Sequence, residues 1–178
     1  MKKYYFSILL VLFVSCSNEL TNTKLAGSVF GTFYEVTYAN NGNKNYQRAL
    51  DSIFEVVNQS MSNYLTDSDI SKVNNHKLNI VDNNFVKVFN AAKKIYYQTN
   101  GVFDPTIGKL VNAWNFGSEE NNIKLDSFKI DSLMQFVGFD KIILNNNILI
   151  KTDPKPYIDF NAIAKGYAVD LVAAFLDS

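Results

Sequence analysis

The chain has 178 residues, enough for one domain with a hydrophobic core. Its 47% apolar and 19% charged residues are ordinary for a folded domain and unlike those of a disordered chain. The 17 basic and 17 acidic residues give a net charge of zero. Arg48 is the only arginine and the lysines are scattered, so no basic face for nucleic acid is expected.

The first residues are typical of an export signal. Lys2 and Lys3 precede a short apolar stretch, which is too short to span a bilayer, so residues 1–15 are predicted to be a cleaved signal peptide. Cys16, the only cysteine, ends a run from Phe13 that resembles a bacterial lipobox. We therefore expect a lipidated Cys16 and a polar tether over residues 16–24. They would anchor an exported protein to the cell membrane or outer membrane, on the periplasmic side. The alternative is an ordinary signal peptide with an incidental cysteine.

The next segments predict a strand followed by helices. Residues 28–39 mix aromatic and β-branched residues in alternation and predict one strand. Residues 45–61 have apolar side chains at helical spacing. The run from Asp67 to Asp69 is suited to capping a short helix that ends at residue 73, and Asp82 to capping a longer one that Asn100 and Gly101 end.

The second half alternates less regularly. Asp104 followed by Pro105 predicts another helix start, and residues 126–137 a helix closed by Gly138. Residues 139–144 and 148–152 predict a hairpin about an asparagine turn. A short strand over residues 157–160 and a helix over residues 163–176 follow. With no internal repeat and no second domain, this irregular order favours an α+β fold.

Three segments carry a family resemblance. They are residues 61–74 (MSNYLTDSDISKVN), 101–117 (GVFDPTIGKLVNAWNFG) and 157–170 (YIDFNAIAKGYAVD). In order and spacing they resemble the ApbE family of FAD:protein FMN transferases. Gly31 and Thr32, followed by an aromatic strand, resemble that family's opening motif.

The resemblance implies a T-fold-like α+β domain. Residues 25–178 correspond to its N-terminal part, so the domain is expected to be incomplete at the C-terminus. It also implies a magnesium-dependent enzyme that cleaves FAD, attaches FMN by a phosphoester to a serine or threonine of a target protein, and releases AMP. Two alternatives stay open: an FAD pyrophosphatase that forms FMN and AMP, and a non-catalytic FAD-binding lipoprotein.

The resemblance also implies a set of cofactor-binding residues in the first two segments. Tyr64 matches the flavin-contact loop, where Leu65 and Thr66 follow as backbone contacts. Asp104 matches a position that binds FAD, a role compatible with helix capping. Phe30 occupies the place where relatives often carry a flavin-contacting methionine.

The third segment supplies the remaining predicted site residues. Lys165 matches a cofactor-contacting position, and a phosphate or flavin would explain a lysine at a helix start, where the dipole disfavours it. The backbone carbonyl of Ala162 matches a magnesium ligand, since a hard cation prefers oxygen. Asn161 replaces the family's glycine and is expected to tolerate its left-handed conformation. The catalytic residues and further metal ligands are expected beyond Ser178, so the 178-residue chain alone is expected to be inactive.

Overall fold

The computed structural model describes residues 21–40, 44–119, 124–152 and 155–178. The predicted signal peptide and Cys16 lie outside these residues. In chain order the elements are β1 (Thr21–Val29), β2 (Thr32–Asn40), α1 (Gln47–Met61), α2 (Asp69–Asn74), α3 (Asn83–Gln98), α4 (Gly108–Ala113), α5 (Ser127–Met134), a 3₁₀ turn (Phe139–Lys141), β3 (Ile142–Asn145), β4 (Ile148–Lys151) and α6 (Asn161–Leu176). Helices and small antiparallel sheets are mixed, which confirms the α+β class.

The core lies where α1, α3 and α6 pack together. Leu50 and Val57 lie on one face of α1 and are both buried, as the helical spacing predicts. Phe85 of α3 is fully buried. The Phe85 ring meets that of Phe160, just before α6, with 5.1 Å between the centroids. Burying each such side chain contributes about 1.5–3 kcal/mol, so this contact anchors the start of α6 on α3.

Two predicted helix caps are confirmed, and a third, which was not predicted, has the same geometry. The side chain of Ser68 accepts a hydrogen bond from the amide of Ser71 at the start of α2. Asp82 caps α3 through the amide of Phe85 (2.7 Å), and Asp126 caps α5 in the same way. These caps satisfy amides that have no partner inside the helix, which is why each helix starts where its capping residue lies.

The first hairpin corrects two predictions. Residues 28–39 are not one strand, because Phe30 (φ 50°) and Gly31 (φ 69°) turn the chain between β1 and β2. Two consecutive positive φ values fit the right-handed twist of a two-residue hairpin. The predicted tether is also too long, since residues 21–24 belong to β1. The hairpin rests on α1 through Tyr34, whose ring centroid is 4.8 Å from that of Phe54.

The second hairpin forms about the predicted asparagine turn, but its first strand starts at Ile142 instead of residue 139, because residues 139–141 form a 3₁₀ turn. Asn146 (φ 45°) and Asn147 (φ 67°) make the turn between β3 and β4. Asparagine tolerates this left-handed conformation better than other non-glycine residues. The Asn147 side-chain amide also donates to the Val81 carbonyl (3.1 Å), and Ile80 forms an antiparallel bridge with Ile148. The hairpin is thereby fixed beside the start of α3.

Two local predictions in the second half are wrong. Asp104 does not cap a helix, since α4 begins only at Gly108 and Asp104 instead closes a turn by accepting from the Thr106 amide (2.8 Å). Residues 157–160 are not a strand, and Tyr157 forms only an isolated parallel bridge with Ile107. Gly108 permits this bridge, because a Cβ there would collide with the Tyr157 ring.

Within the described ranges, no helix is long and apolar enough to cross a membrane.

Candidate functional site

A cleft of about 760 Å³ opens between the first hairpin turn, the loop after α1 and the start of α6. Its volume lies within the range of about 300–1,000 Å³ that is typical of small-molecule sites. Four residues predicted to bind the cofactor line this cleft, which is called the flavin cleft after that prediction: Phe30, Tyr64, Leu65 and Lys165. The fold thus brings together residues that are far apart in the sequence.

The loop after α1 is held in shape by serine side chains. The Ser62 carbonyl accepts hydrogen bonds from the hydroxyls of Ser68 (2.6 Å) and Ser71 (3.3 Å), and the Ser62 hydroxyl accepts from the Tyr64 amide (3.3 Å). The Ser62 carbonyl also accepts from the amide of Leu65 (3.4 Å). The loop is therefore fixed locally, while the Tyr64 side chain stays 61% exposed and available for ring stacking.

The Phe30 ring forms another wall of the cleft. The left-handed turn places this ring 5.8 Å from that of Phe54, in an edge-to-face arrangement on α1. Val57 and Met61, both buried on α1, continue the apolar lining. This side of the cleft suits an apolar or aromatic part of a ligand.

The polar side of the cleft is formed at the start of α6. Asn161 lines the cleft and donates to the Asp159 carboxylate through its amide nitrogen (2.7 Å) and its side chain (3.3 Å). Burial raises the pKa of Asp159 above its usual value, and hydrogen bonds from Asn161 and Asn63 oppose this effect. Asn161 is the first residue of α6 and has no positive φ, so the expected left-handed conformation is wrong.

Lys165 and Ala162 both lie in the first turns of α6. Lys165 lies in the second turn of α6, whereas the sequence predicted it at the start of the helix. Its side chain is exposed at the cleft. Among the described residues it forms no ion pair, so its charge is available to a ligand. Ala162 is the second residue of the helix, where carbonyls point along the axis toward the amide four residues later.

Thr66 and Asp104 do not line the cleft. Thr66 is exposed at the far end of the loop. Oδ1 of Asp104 accepts from both the amide and the hydroxyl of Thr106 (2.8 and 2.6 Å), and the Thr106 hydroxyl accepts from the Gly138 amide (2.7 Å). Asp104 thus stabilises the loop before α4, and its predicted contact with FAD stays a prediction.

Phe116 lines the cleft and was missed by the sequence interpretation. It lies within the second family-like segment, and its side chain is 79% exposed. The exposed ring faces the cleft and is accessible to a ligand there. Phe116 and Tyr64 together provide two accessible rings at the cleft.

A buried polar network lies behind the start of α6. Asn74 donates to the Ile158 carbonyl (2.8 Å) and to Oδ1 of Asn63 (3.1 Å), and it accepts from the Ile158 amide (2.8 Å). Its Oδ1 also accepts from the Lys151 ammonium (3.0 Å). The network ties the segment that precedes Asp159 to the loop that carries Tyr64.

Comparison with known proteins identifies the family of the chain. The model of the ApbE family matches residues 30–178. The chain belongs to the ApbE family. This confirms the resemblance in the three segments, each of which contributes residues to the cleft.

Individual ApbE relatives give the same result. The FAD:protein FMN transferase of Vibrio cholerae is 31% identical over 177 residues, which cover 95% of this chain and 53% of that protein. The FAD:protein FMN transferase of Haemophilus influenzae is 33% identical, and the match covers 92% of this chain and 51% of that protein. The solved flavin transferase ApbE from Vibrio cholerae superposes with a TM-score of 0.83 at 30% identity, covering 89% of this chain and 54% of that one. The chain thus has an ApbE fold and spans about half the length of these relatives.

Proposed function

We propose that the protein is an FAD:protein FMN transferase. The observation that carries the proposal is the cleft, which gathers Phe30, Tyr64, Leu65 and Lys165 from separate segments. The proposal is also supported by the names of the ApbE relatives. In the reaction, a serine or threonine hydroxyl of a target protein attacks the FMN phosphorus of FAD. The pyrophosphate bond breaks, AMP leaves, and the hydroxyl proton is lost to a base.

The cleft residues can divide the binding of FAD between them. Tyr64 and Phe116 offer exposed rings for stacking on a flat ring system, and Phe30 adds an apolar wall. Lys165 offers a positive charge to the pyrophosphate, a role that lysine fills well as a point charge. Leu65 contributes backbone groups of the serine-braced loop.

We propose magnesium as the metal cofactor, with the Ala162 carbonyl as one ligand. Bound magnesium supplies neutralisation of negative charge on a pyrophosphate. In the described part of the chain, no three His, Cys, Asp or Glu side chains lie close enough to hold a metal. Since magnesium needs six oxygen ligands, most of the donors must come from FAD, water or residues outside the described part.

The test is flavin transfer to a target domain. The full-length protein is incubated with FAD, magnesium and a domain bearing an acceptor threonine, and the target is examined by in-gel flavin fluorescence after denaturation. We expect fluorescence on the target and stoichiometric AMP. Tyr64→Ala and Lys165→Gln should each weaken FAD binding about fivefold or more, as expected for losing about 1–3 kcal/mol of a ligand contact.

Matched variants control for general effects. Tyr97 is 62% exposed on α3, almost the same as Tyr64, and lies outside the cleft. Lys93 is likewise exposed on α3. Tyr97→Ala and Lys93→Gln should bind FAD as the unmodified protein does. FMN and AMP without labelled target would indicate the pyrophosphatase, and FAD binding without AMP release the non-catalytic binder. Either result would refute the transferase proposal.

We further propose that the protein is exported and held at the membrane by a lipid on Cys16. The support is the sequence alone: Lys2 and Lys3, the apolar stretch and the single cysteine. Cys16→Ala should move the protein from the membrane fraction to the soluble fraction. Recovery of unmodified protein in the cytoplasm with Met1 still present would contradict this proposal.

A further inference from the structure

A second cleft, of about 630 Å³, lies apart from the flavin cleft and shares no lining residue with it. Lys109 and Lys155 line it together with His76 and the aromatic residues Phe136 and Tyr157. It is bounded by the start of α4, the end of α5 and the segment before α6. We call it the lysine cleft.

The charges that line this cleft are positive. Neither Asp nor Glu is among the lining residues. The Lys109 ammonium lies 3.2 Å from the centroid of the Phe136 ring, a cation–π contact that holds it at the cleft. Burial lowers the pKa of Lys109, while Glu119 acts in the opposite direction. An anion in the cleft would therefore meet a positioned ammonium group on an aromatic wall.

A third lysine lies directly behind the cleft wall. The Lys151 ammonium donates to the carbonyls of Val73 (3.2 Å) and Pro156 (2.9 Å) and to Oδ1 of Asn74 (3.0 Å). Asn74 and Pro156 themselves line the cleft. Burial, together with the charges of Lys109 and Lys155, lowers the pKa of Lys151 to about 7. The three lysines thus act on the same small region, where an anion would relieve their repulsion.

We propose that the lysine cleft binds the phosphate group of a small molecule, with Lys109 and Lys155 as its charged contacts. Ammonium groups are strong donors to phosphate oxygens, and the charge-assisted bonds are about twice as strong as neutral ones. Phe136 and Tyr157 give the cleft aromatic walls against which the rest of such a molecule packs. The volume exceeds what one phosphate needs and suits a phosphate with an organic group attached.

Inorganic pyrophosphate is the probe for this site, and the first measurement is calorimetric titration of the purified protein at constant ionic strength. We expect saturable binding of one pyrophosphate that weakens at least tenfold in Lys109→Gln and in Lys155→Gln. Lys93→Gln, on the exposed face of α3, should bind normally. Lys165→Gln separates the two clefts, because it removes charge only from the flavin cleft.

A second measurement uses the unmodified protein, so that it does not depend on how the variants fold. Pyrophosphate should shift the ¹³Cε resonance of Lys151 and raise its titration midpoint, since an anion across the wall favours the charged ammonium. The proposal is overturned by the absence of saturable binding, by a loss of binding in Lys165→Gln alone, or by a Lys151 resonance that does not respond.

Discussion

Replacing Asn74 should destabilise the domain more than its single polar side chain suggests. Asn74 is buried and takes part in four hydrogen bonds, to Asn63, to Lys151, and to both the amide and the carbonyl of Ile158. In Asn74→Ala the Ile158 amide loses its acceptor, which costs about 1–3 kcal/mol for a buried donor. Each of the other three bonds contributes about 0.5–1.5 kcal/mol.

The expected total loss is about 3–5 kcal/mol, somewhat below the sum because the Ile158 carbonyl still accepts from Asn63 (3.3 Å). Since domains unfold with about 5–15 kcal/mol, such a loss is large. Urea unfolding followed by circular dichroism measures it. Asn75→Ala is the matched control, because Asn75 is the next residue and its side chain is exposed. Its effect should stay within about 0.5 kcal/mol.

The network also predicts coupling. In a double-mutant cycle, Asn63→Ala and Asn74→Ala should be non-additive by at least about 0.5 kcal/mol, because the two side chains share a hydrogen bond and the Ile158 carbonyl. A loss in Asn74→Ala below about 1 kcal/mol, or additive effects in the cycle, would show that water or other groups satisfy Ile158 and that the reasoning is wrong.

Two other changes test the fold at separate points. Asp82→Ala should cost about 2 kcal/mol in urea unfolding, because Asp82 both caps α3 and accepts from the Ser60 hydroxyl (2.8 Å). Asp126→Ala, which removes a more exposed cap, should cost about 1 kcal/mol or less, and equal losses would contradict this explanation. Stability should also rise by up to about 2 kcal/mol between about pH 7 and about pH 9, because unfolded lysine keeps its proton to about pH 10.4 whereas folded Lys151 loses it near pH 7. Denaturation midpoints across this range measure the rise, and a slope that Lys151→Met leaves unchanged would assign it to other groups.

Features determined by neighbouring residues could be predicted from the sequence. The caps at Ser68 and Asp82 are confirmed because each side-chain oxygen accepts a hydrogen bond from an amide only three residues later. The turn at Asn146 and Asn147 followed in the same way from a residue type that tolerates positive φ. Local chemistry was sufficient in these places.

Where two local structures compete, the prediction was wrong. Phe30 is a residue type that rarely adopts positive φ, so the sequence did not indicate a turn there. In the folded domain, the Phe30 ring in this turn contacts the ring of Phe54 on α1. The local sequence gives no indication of that contact. Asp104 has the sequence pattern of a helix cap, yet its carboxylate accepts a hydrogen bond from the Thr106 hydroxyl. That hydroxyl in turn accepts a hydrogen bond from the Gly138 amide.

The site was predictable only in part, for a related reason. The family resemblance pointed to Tyr64 and Lys165, which line the flavin cleft. It gave no sign that Asn74 is buried, since an asparagine followed by another in a polar stretch is typical of the surface. The partner that buries it, Ile158, is 84 positions away, and no local pattern reports a contact of that length.

The polar network behind the start of α6 has a consequence for how the protein folds. Asn63 and Asn74 bond Ile158 at sequence separations of 95 and 84 positions, whereas the backbone hydrogen bonds of α1 and α3 join residues four positions apart. Because long loops must close before distant contacts form, the helices can form early and the cleft only late. A chain that has not yet brought residues 158–165 onto α1 has nowhere to hold a flavin. Flavin binding should therefore stabilise only the fully folded state, so that the unfolding temperature rises as the FAD concentration increases. During refolding, the ability to bind flavin should appear at the last step and not at the first.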